Sequence, residues 1–203
     1  MEILDWECAG AMPLLYKELQ SLGLETNIAE LEAFGYTIIP PEKIGPDGYH
    51  VELREALESV IADRFGSLNH DMARWDDVND NLRFLLWEDT VFEKMSYNPA
   101  GLGLAQYLLG TNCILSLCNG WVKGSGEART GIHGDYIDPG PDAQPGINVN
   151  ANVHYFLTDY NKDEGAISFL PGSHRWRHQA SPSESKYWAD RAHAVDARAG
   201  SAV

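Results

Sequence analysis

A histidine and an aspartate lie two residues apart in residues 130–136, whose sequence is TGIHGDY. On a β-strand, residues i and i+2 point to the same face, so His133 and Asp135 would present a ring nitrogen and a carboxylate to one point. Two of the three ligands of a 2-His-1-carboxylate iron site have this form. The spacing therefore predicts part of a metal centre, although many surface loops carry His-x-Asp by chance and a third ligand is needed.

Further chemistry-bearing side chains are predicted near this motif. Asn152, His154 and Phe156 alternate on one face of a strand candidate. Asn152 and His154 could line a cofactor pocket, or they could form a hydrogen-bonded polar pair inside a barrel. Trp121 precedes the motif and Tyr136 follows it, so each could shape a substrate entrance or pack in the core.

Periodicity and turn residues predict helices first and short strands later. The helical patterns cover residues 27–34, 51–64, 91–95 and 101–109. Asn27 and Glu30 read as a capping box, and Gly35, Gly66 and Gly110 as helix ends. Strand patterns cover residues 36–39, 113–118, 148–157 and 165–170. This order predicts an α+β fold in one domain over residues 1–203, with an antiparallel barrel or jelly roll as the second half.

Charge and hydropathy restrict the partners. Fifteen basic and 30 acidic side chains give a net charge of −15, which repels phosphate backbones and anionic membrane surfaces. No apolar run approaches the ~18 residues of a membrane span. The acidic start of the chain is unlike a secretory signal and predicts a cytoplasmic protein. A small-molecule substrate is expected, and the oligomeric state stays open.

Two longer motifs carry a family resemblance. Residues 163–176 read DEGAISFLPGSHRW, and residues 31–41 read LEAFGYTIIPP. With the His-x-Asp motif between them, their order resembles the phytanoyl-CoA dioxygenase family of iron(II)- and 2-oxoglutarate-dependent oxygenases, over residues 27–203.

That resemblance implies a double-stranded β-helix, a cupin-like jelly roll, over residues 111–203, buttressed by a helical half over residues 1–110. His133 and Asp135 would be the first two Fe(II) ligands. The strand with Asn152 and His154 would help line the 2-oxoglutarate pocket. The reaction would hydroxylate an unactivated C–H bond of a small organic substrate inside a closed, dry pocket.

The chain departs from the family pattern at its end. The family's second histidine and its 2-oxoglutarate arginine follow a segment like the AGSAV of residues 199–203, so we expect the C-terminal strands and the third ligand to be missing here. His174 is expected to be structural, and His178 and His193 to be exposed. Two alternatives stay open: a catalytically inactive jelly-roll binding protein or fragment, and a cupin-like metal enzyme that does not use 2-oxoglutarate.

Overall fold

The computed structural model describes residues 10–66, 82–122, 131–135, 147–176 and 178–203. The structure mixes helix and sheet, with most of the helix in the first half of the chain. The helices are α1 (Ala11–Ser21), α2 (Glu25–Phe34), α3 (Pro41–Ile44), α4 (Tyr49–Phe65), α5 (Thr90–Ser96), α6 (Pro99–Leu109) and α7 (Pro182–Trp188). Short 3₁₀ turns cover Leu85–Trp87, Lys162–Glu164, Ser173–Arg175 and Ala189–Arg191. Within these ranges no helix is both long and apolar enough to cross a membrane.

The predicted helices are confirmed, and their ends follow the expected residues. Helix α4 buries a stripe of Leu53, Leu57, Val60 and Ile61 and ends at Gly66, whose φ is 80°. Such a left-handed conformation has little steric cost for glycine. The side-chain oxygen of Asn98 accepts from the backbone N–H groups of Ala100 and Gly101, so Asn98 begins α6 as a side-chain cap.

The capping box predicted at Asn27 is wrong. Helix α2 begins at Glu25, and Asn27 lies buried inside it. The Asn27 side-chain amide donates to Thr37 Oγ1 (2.9 Å) and to the Ile38 carbonyl (3.1 Å). The hydroxyl of Thr37 in turn donates to Glu30 (2.5 Å). Both polar residues therefore anchor the extended segment after α2, because a buried amide needs hydrogen-bond partners wherever they lie.

Two apolar clusters form the core. The first joins α1, α2 and α6 through side chains that include Leu15, Leu19, Leu31 and Leu104. The second joins α4 and α5 to the segment before Trp121 through side chains that include Leu57, Leu85, Phe92 and Cys118. Tyr49 packs against both clusters. The helical half therefore provides the main packed body among the described residues.

Most of the predicted strands are not strands in the described structure. Residues 113–118 have no ladder partner there, and Ile114 is 87% exposed. The two-stranded sheet of this part of the chain pairs β1 (Ser168–Phe169) with β2 (His193–Ala194) in antiparallel register. Residues 148–157 and 36–39 contribute isolated bridges only. Strand propensity alone does not produce a strand, because a ladder needs a partner in register.

The last residues of the chain connect its two halves. Ala202 is fully buried and bridges Ile39 on one side and Tyr155 on the other. Backbone hydrogen bonds join Ile39 to Ala202 (2.7 and 2.9 Å) and His154 to Val203 (2.9 and 3.0 Å). Ala202 thus lies between the segment after α2 and the segment that carries Asn152 and His154.

Alanine should destabilise helix α6 more at Gly101 than at Gly103. A Cβ on Gly101 would lie 2.5 Å from Tyr155 Oη and 3.1 Å from Val153, whereas a Cβ on Gly103 would lie 2.8 Å from a terminal methyl group of the buried Leu19 and near no other side chain. Tyr155 Oη is held by its hydrogen bond to the Met95 carbonyl (3.1 Å). We expect Gly101→Ala to lower the free energy of unfolding by about 1–3 kcal/mol through overpacking, despite a helix-propensity gain of about 1 kcal/mol.

Urea denaturation of Gly101→Ala and Gly103→Ala side by side measures this difference. Gly103→Ala is the matched control because it lies in the same helix and receives the same propensity gain. Equal or greater stability of Gly101→Ala would show that α6 does not pack on the 153–155 segment in this way.

Candidate metal centre

His133 and Asp135 point toward each other. His133 Nε2 lies 3.1 Å from Asp135 Oδ1. Residues 131–135 form no regular strand, yet the two side chains still meet as their spacing predicts. An extended backbone places alternate side chains on one side even where no ladder forms.

The hydrogen bonds of the His133 ring determine which nitrogen is available. His133 Nδ1 lies 2.8 Å from the Gly131 carbonyl oxygen. A carbonyl only accepts, so Nδ1 carries the proton and donates it. In the neutral ring Nε2 is then an unprotonated acceptor that faces a carboxylate oxygen. Two acceptors at this separation repel unless a cation lies between them, and that cation is either a proton on the ring or a metal ion.

The separation of the two donor atoms fits a metal ion. Metal–nitrogen and metal–oxygen bonds of about 2.1 Å that meet at a right angle place the donors about 3.0 Å apart. The observed Nε2–Oδ1 distance is 3.1 Å. His133 and Asp135 could therefore occupy adjacent positions on one divalent ion. Among the described residues, however, no group of three His, Cys, Asp or Glu side chains lies together in a metal-binding arrangement.

Two asparagines hold Asp135 from the other side. Asn152 Nδ2 donates to Asp135 Oδ2 at 2.8 Å, and Asn150 Nδ2 donates to the Asp135 backbone carbonyl. The carboxylate thus has one oxygen occupied and the other turned toward His133. Asn152 was predicted to bind the cofactor, which stays a prediction, and its amide contacts a predicted metal ligand directly. Such a partner fixes the orientation of a ligating carboxylate.

His154 and Trp121, predicted to bind cofactor and substrate, lie against each other. Their ring centroids are 5.8 Å apart with an interplanar angle of 35°. Val153 and Tyr155 face Gly101 of α6, so the side chains of Asn152 and His154 extend from the opposite face of this segment. The predicted alternation is therefore visible in the contacts of residues 152–155, whereas Tyr155, Phe156 and Leu157 all line one small cavity. Tyr136, the other predicted substrate residue, lies outside the described residues.

The closed pocket expected around the motif is not seen in the described structure. The side chains of His133 and Asp135 are 54% and 56% exposed. A small cavity lies elsewhere, between the start of α4 and the 155–157 segment, with Tyr49, His50 and Tyr155 in its wall. Residues 131–135 thus lie on the surface of the described part of the chain, and the closed, dry site stays a prediction.

Sequence reasoning missed the residues that support the motif from the C-terminal side. The Gln179 side chain makes two hydrogen bonds to Gly134, and Ser185 Oγ accepts the Ile132 backbone N–H at 3.0 Å. These partners lie 45 and 53 residues away along the chain, where no local pattern connects them. A capping box of Ser181 and Glu184 begins α7, and its Ser-x-x-Glu signal was readable.

An exposed ion pair stabilises the start of α7. Hydrogen bonds from the Ser181 hydroxyl and backbone lower the pKa of Glu184 to about 2, with a further contribution from His178. The hydrogen bond from His178 to the Trp176 carbonyl raises the pKa of His178 most, and the hydrogen bond to Glu184 raises it further. His178 Nδ1 lies 2.9 Å from Trp176 O, and Nε2 lies 3.2 Å from Glu184 Oε1. Both ring nitrogens therefore have acceptors, which favours the charged ring.

The other histidines of the C-terminal half have separate surroundings. His174 packs over Gly35 at the end of α2, where an added Cβ would lie 2.4 Å from its ring. His178 contacts Glu184, and His193 lies in β2. Both are exposed, as the sequence predicts.

Comparisons with known proteins agree with the order of the motifs. A profile of the family described as phytanoyl-CoA dioxygenase (PhyH) matches residues 32–203. A curated relative from Aspergillus fumigatus, named dioxygenase af480, is 33% identical over 89 residues, which are 43% of this chain and 28% of that protein. The match therefore covers well under two thirds of the relative's length. No solved structure matches the chain significantly.

The family match covers most of the chain and includes the His-x-Asp motif and the motif at residues 163–176. The chain belongs to the phytanoyl-CoA dioxygenase family, and the resemblance inferred from its motifs is confirmed.

We expect Glu184→Gln to lower the pKa of His178 toward its ordinary value of 6.5 without reaching it, because the Trp176 carbonyl makes the larger contribution. Glutamine keeps the capping geometry but removes the charge. Because the pKa of His178 is raised in the folded protein, the His178 contribution to stability is fully present below pH 6.5 and is lost as pH rises through the folded pKa. Because the pKa of Glu184 is lowered, the Glu184 contribution to stability is present above pH 4.5 and is lost as pH falls toward about 2.

An NMR titration of the histidine ring protons measures this change, with Glu58→Gln on α4 as the control. An unchanged His178 pKa in Glu184→Gln would contradict the contact between the two side chains.

Proposed function

We propose that this protein is an iron(II)- and 2-oxoglutarate-dependent dioxygenase that hydroxylates an unactivated C–H bond of a small organic substrate. In this proposal His133 and Asp135 are two of the iron ligands. The scaffold is the jelly roll that the family implies, with the helices of the first half packed on one side.

The contact between His133 Nε2 and Asp135 Oδ1 carries the proposal. Its 3.1 Å length matches two adjacent positions on one divalent ion, and the Gly131 carbonyl holds the proton on the other ring nitrogen. A nitrogen ligand and a carboxylate on one side of iron leave the opposite positions for cosubstrate and oxygen. Membership of the phytanoyl-CoA dioxygenase family supports this assignment, and so does the name dioxygenase given to the Aspergillus relative.

The remaining roles follow from the contacts around the motif. Asn152 holds Asp135 Oδ2, so Oδ1 stays directed at the ion. His154 and Trp121 form one half-exposed aromatic surface on the same face as Asn152, and we assign to it contact with 2-oxoglutarate or substrate. Tyr136 keeps its predicted substrate role. In the family pattern the third ligand, a histidine, and the arginine for 2-oxoglutarate follow the segment that residues 199–203 resemble.

A bound iron would allow dioxygen to act as the oxidant: one oxygen atom would enter succinate as 2-oxoglutarate loses carbon dioxide, and the other would enter the hydroxyl group of the substrate. The protein residues contribute ligand geometry, the ring tautomer and the orientation of the carboxylate. The net charge of −15 makes a nucleic acid substrate unfavourable and leaves a small molecule as the proposed substrate class.

We expect Asp135→Ala to lower metal affinity at least about 100-fold, because removal of an outer-sphere partner alone costs about 10- to 100-fold. Folding should change little, since the Asp135 side chain is 56% exposed. The affinity is measured by titration of the metal-free protein with Co(II), followed by absorption, in a form that includes the C-terminal segment in which the family carries the third histidine and the arginine. Succinate release from 2-oxoglutarate with Fe(II) measures turnover without a known substrate.

Asp163→Ala is the matched control, because Asp163 is an exposed aspartate in the 162–164 turn. Equal Co(II) affinity of Asp135→Ala and the native protein would overturn the ligand assignment. Metal binding without any 2-oxoglutarate consumption would favour the cupin-like alternative. A native protein that binds no metal would favour the inactive binding protein.

A further inference from the structure

The Gln179 side chain holds the residue between the two proposed ligands. The Gly134 backbone N–H donates to Gln179 Oε1 at 2.9 Å, and Gln179 Nε2 donates to the Gly134 carbonyl at 2.7 Å. A hydrogen-bonded residue pair in an antiparallel sheet exchanges the same two bonds. The Gln179 amide therefore replaces the backbone of a neighbouring strand at this one position.

The restraint acts on the glycine between the two proposed ligands. Glycine has more backbone freedom than any other residue, and Gly134 alone separates His133 from Asp135. Rotation of its φ or ψ would move one proposed ligand away from the other. With both its N–H and its C=O held by one amide, the two peptide planes on either side of Gly134 keep a fixed relation.

A second anchor lies two residues earlier. The Ile132 backbone N–H donates to Ser185 Oγ at 3.0 Å, and the same oxygen would lie 3.1 Å from a Cβ on Gly131. Anchors at Ile132 and Gly134 thus stand on both sides of His133. Asn150 and Asn152 donate to Asp135 from a different segment of the chain.

The segment that carries Gln179 and Ser185 is held by a helix cap and by aromatic packing. Ser185 lies in the first turns of α7, after the capping box of Ser181 and Glu184. Just before Gln179, His178 stacks on Trp176 with ring centroids 5.6 Å apart, and Trp176 also packs on Trp188 at 5.9 Å. Aromatic packing and the helix cap restrict the movement of this segment, so its side chains can restrain another one.

We propose that Gln179 is a positioning residue of the metal centre and that Ser185 is a second, weaker positioning residue. Its amide holds the Gly134 peptide so that His133 Nε2 and Asp135 Oδ1 keep the separation that one ion requires. This inference rests on the proposed function, because it assumes that the two side chains bind a metal. Loss of such a supporting bond typically costs 10- to 100-fold in metal affinity.

The test compares Gln179→Met with the native protein. Methionine has nearly the length of glutamine but makes neither bond to Gly134. We expect Co(II) affinity to fall about 10- to 100-fold while the thermal unfolding midpoint stays within the change produced by Gln20→Met. Gln20 is the matched control because it is an exposed glutamine on α1. Amide hydrogen exchange of residues 131–135 should become faster in Gln179→Met only.

Ser185→Ala gives a second, independent measurement against Ser183→Ala on the same helix. We expect a smaller loss of Co(II) affinity in Ser185→Ala and no loss in Ser183→Ala. If Gln179→Met does not fold, Gln179→Asn replaces it, since the shorter amide stays polar but cannot reach Gly134.

The outcomes separate this inference from the proposed function. A native protein that binds Co(II) through Asp135, with Gln179→Met and Gln179→Asn equal to it, would overturn the positioning role alone. A fall in affinity that only follows a fall in the unfolding midpoint would also overturn it, because the role would then be structural. A native protein without Co(II) binding would overturn both.

Discussion

The candidate centre depends on one short contact between two atoms that both accept hydrogen bonds. His133 Nε2 and Asp135 Oδ1 lie 3.1 Å apart, and the Gly131 carbonyl keeps the ring proton on Nδ1. This arrangement is unfavourable without a positive charge between the two atoms. A proton would satisfy it as a surface ion pair, which contributes at most about 1 kcal/mol in water. A divalent ion would satisfy it with two bonds, and the surrounding contacts have the form of ligand support.

Around this motif, hydrogen bonds from side chains take the place of the backbone hydrogen bonds of a sheet. Among the described residues, no strand pairs with 131–135, yet the segment has hydrogen-bond partners from two other segments of the chain. Asn150 and Asn152 approach from one segment, and Gln179 and Ser185 from another. Ordering a glutamine side chain costs about 2 kcal/mol of rotamer entropy. Gln179 can therefore restrain Gly134 only if the backbone of its own segment is already ordered. The cap of α7 and the stack of His178 on Trp176 provide that order.

The sequence predicted the local features of this fold well and the long-range features poorly. Helix α4 and its stop at Gly66 follow from an apolar stripe and a glycine, which are local signals. Asn27 and Glu30 have the spacing of a capping box, but the Asn27 side chain bonds to the buried Thr37 and does not cap the helix. Residues 113–118 have strand propensity, but a strand also needs a partner in register, and propensity says nothing about partners.

The same division applies to the candidate site. The meeting of His133 and Asp135 was predictable because it depends only on their spacing along an extended backbone. The family resemblance supplied the chemistry. The contact of Asn152 with Asp135 and that of Gln179 with Gly134 depend on which segments the fold brings together, 17 and 45 residues apart. No periodic pattern in one sequence contains that information.

The helical half and the candidate centre are joined through one extended segment. Its Val153 and Tyr155 face Gly101 of α6, its backbone pairs with residues 201–203, and its Asn152 holds Asp135. Packing of Val153 and Tyr155 against α6 therefore helps to position Asn152, which donates to Asp135. A displacement of about 1 Å at a reacting centre can cost about 100-fold in rate. Gly101 and Ala202 lie outside the proposed metal centre, yet by positioning this segment they would affect the geometry of the proposed ligands as well as stability.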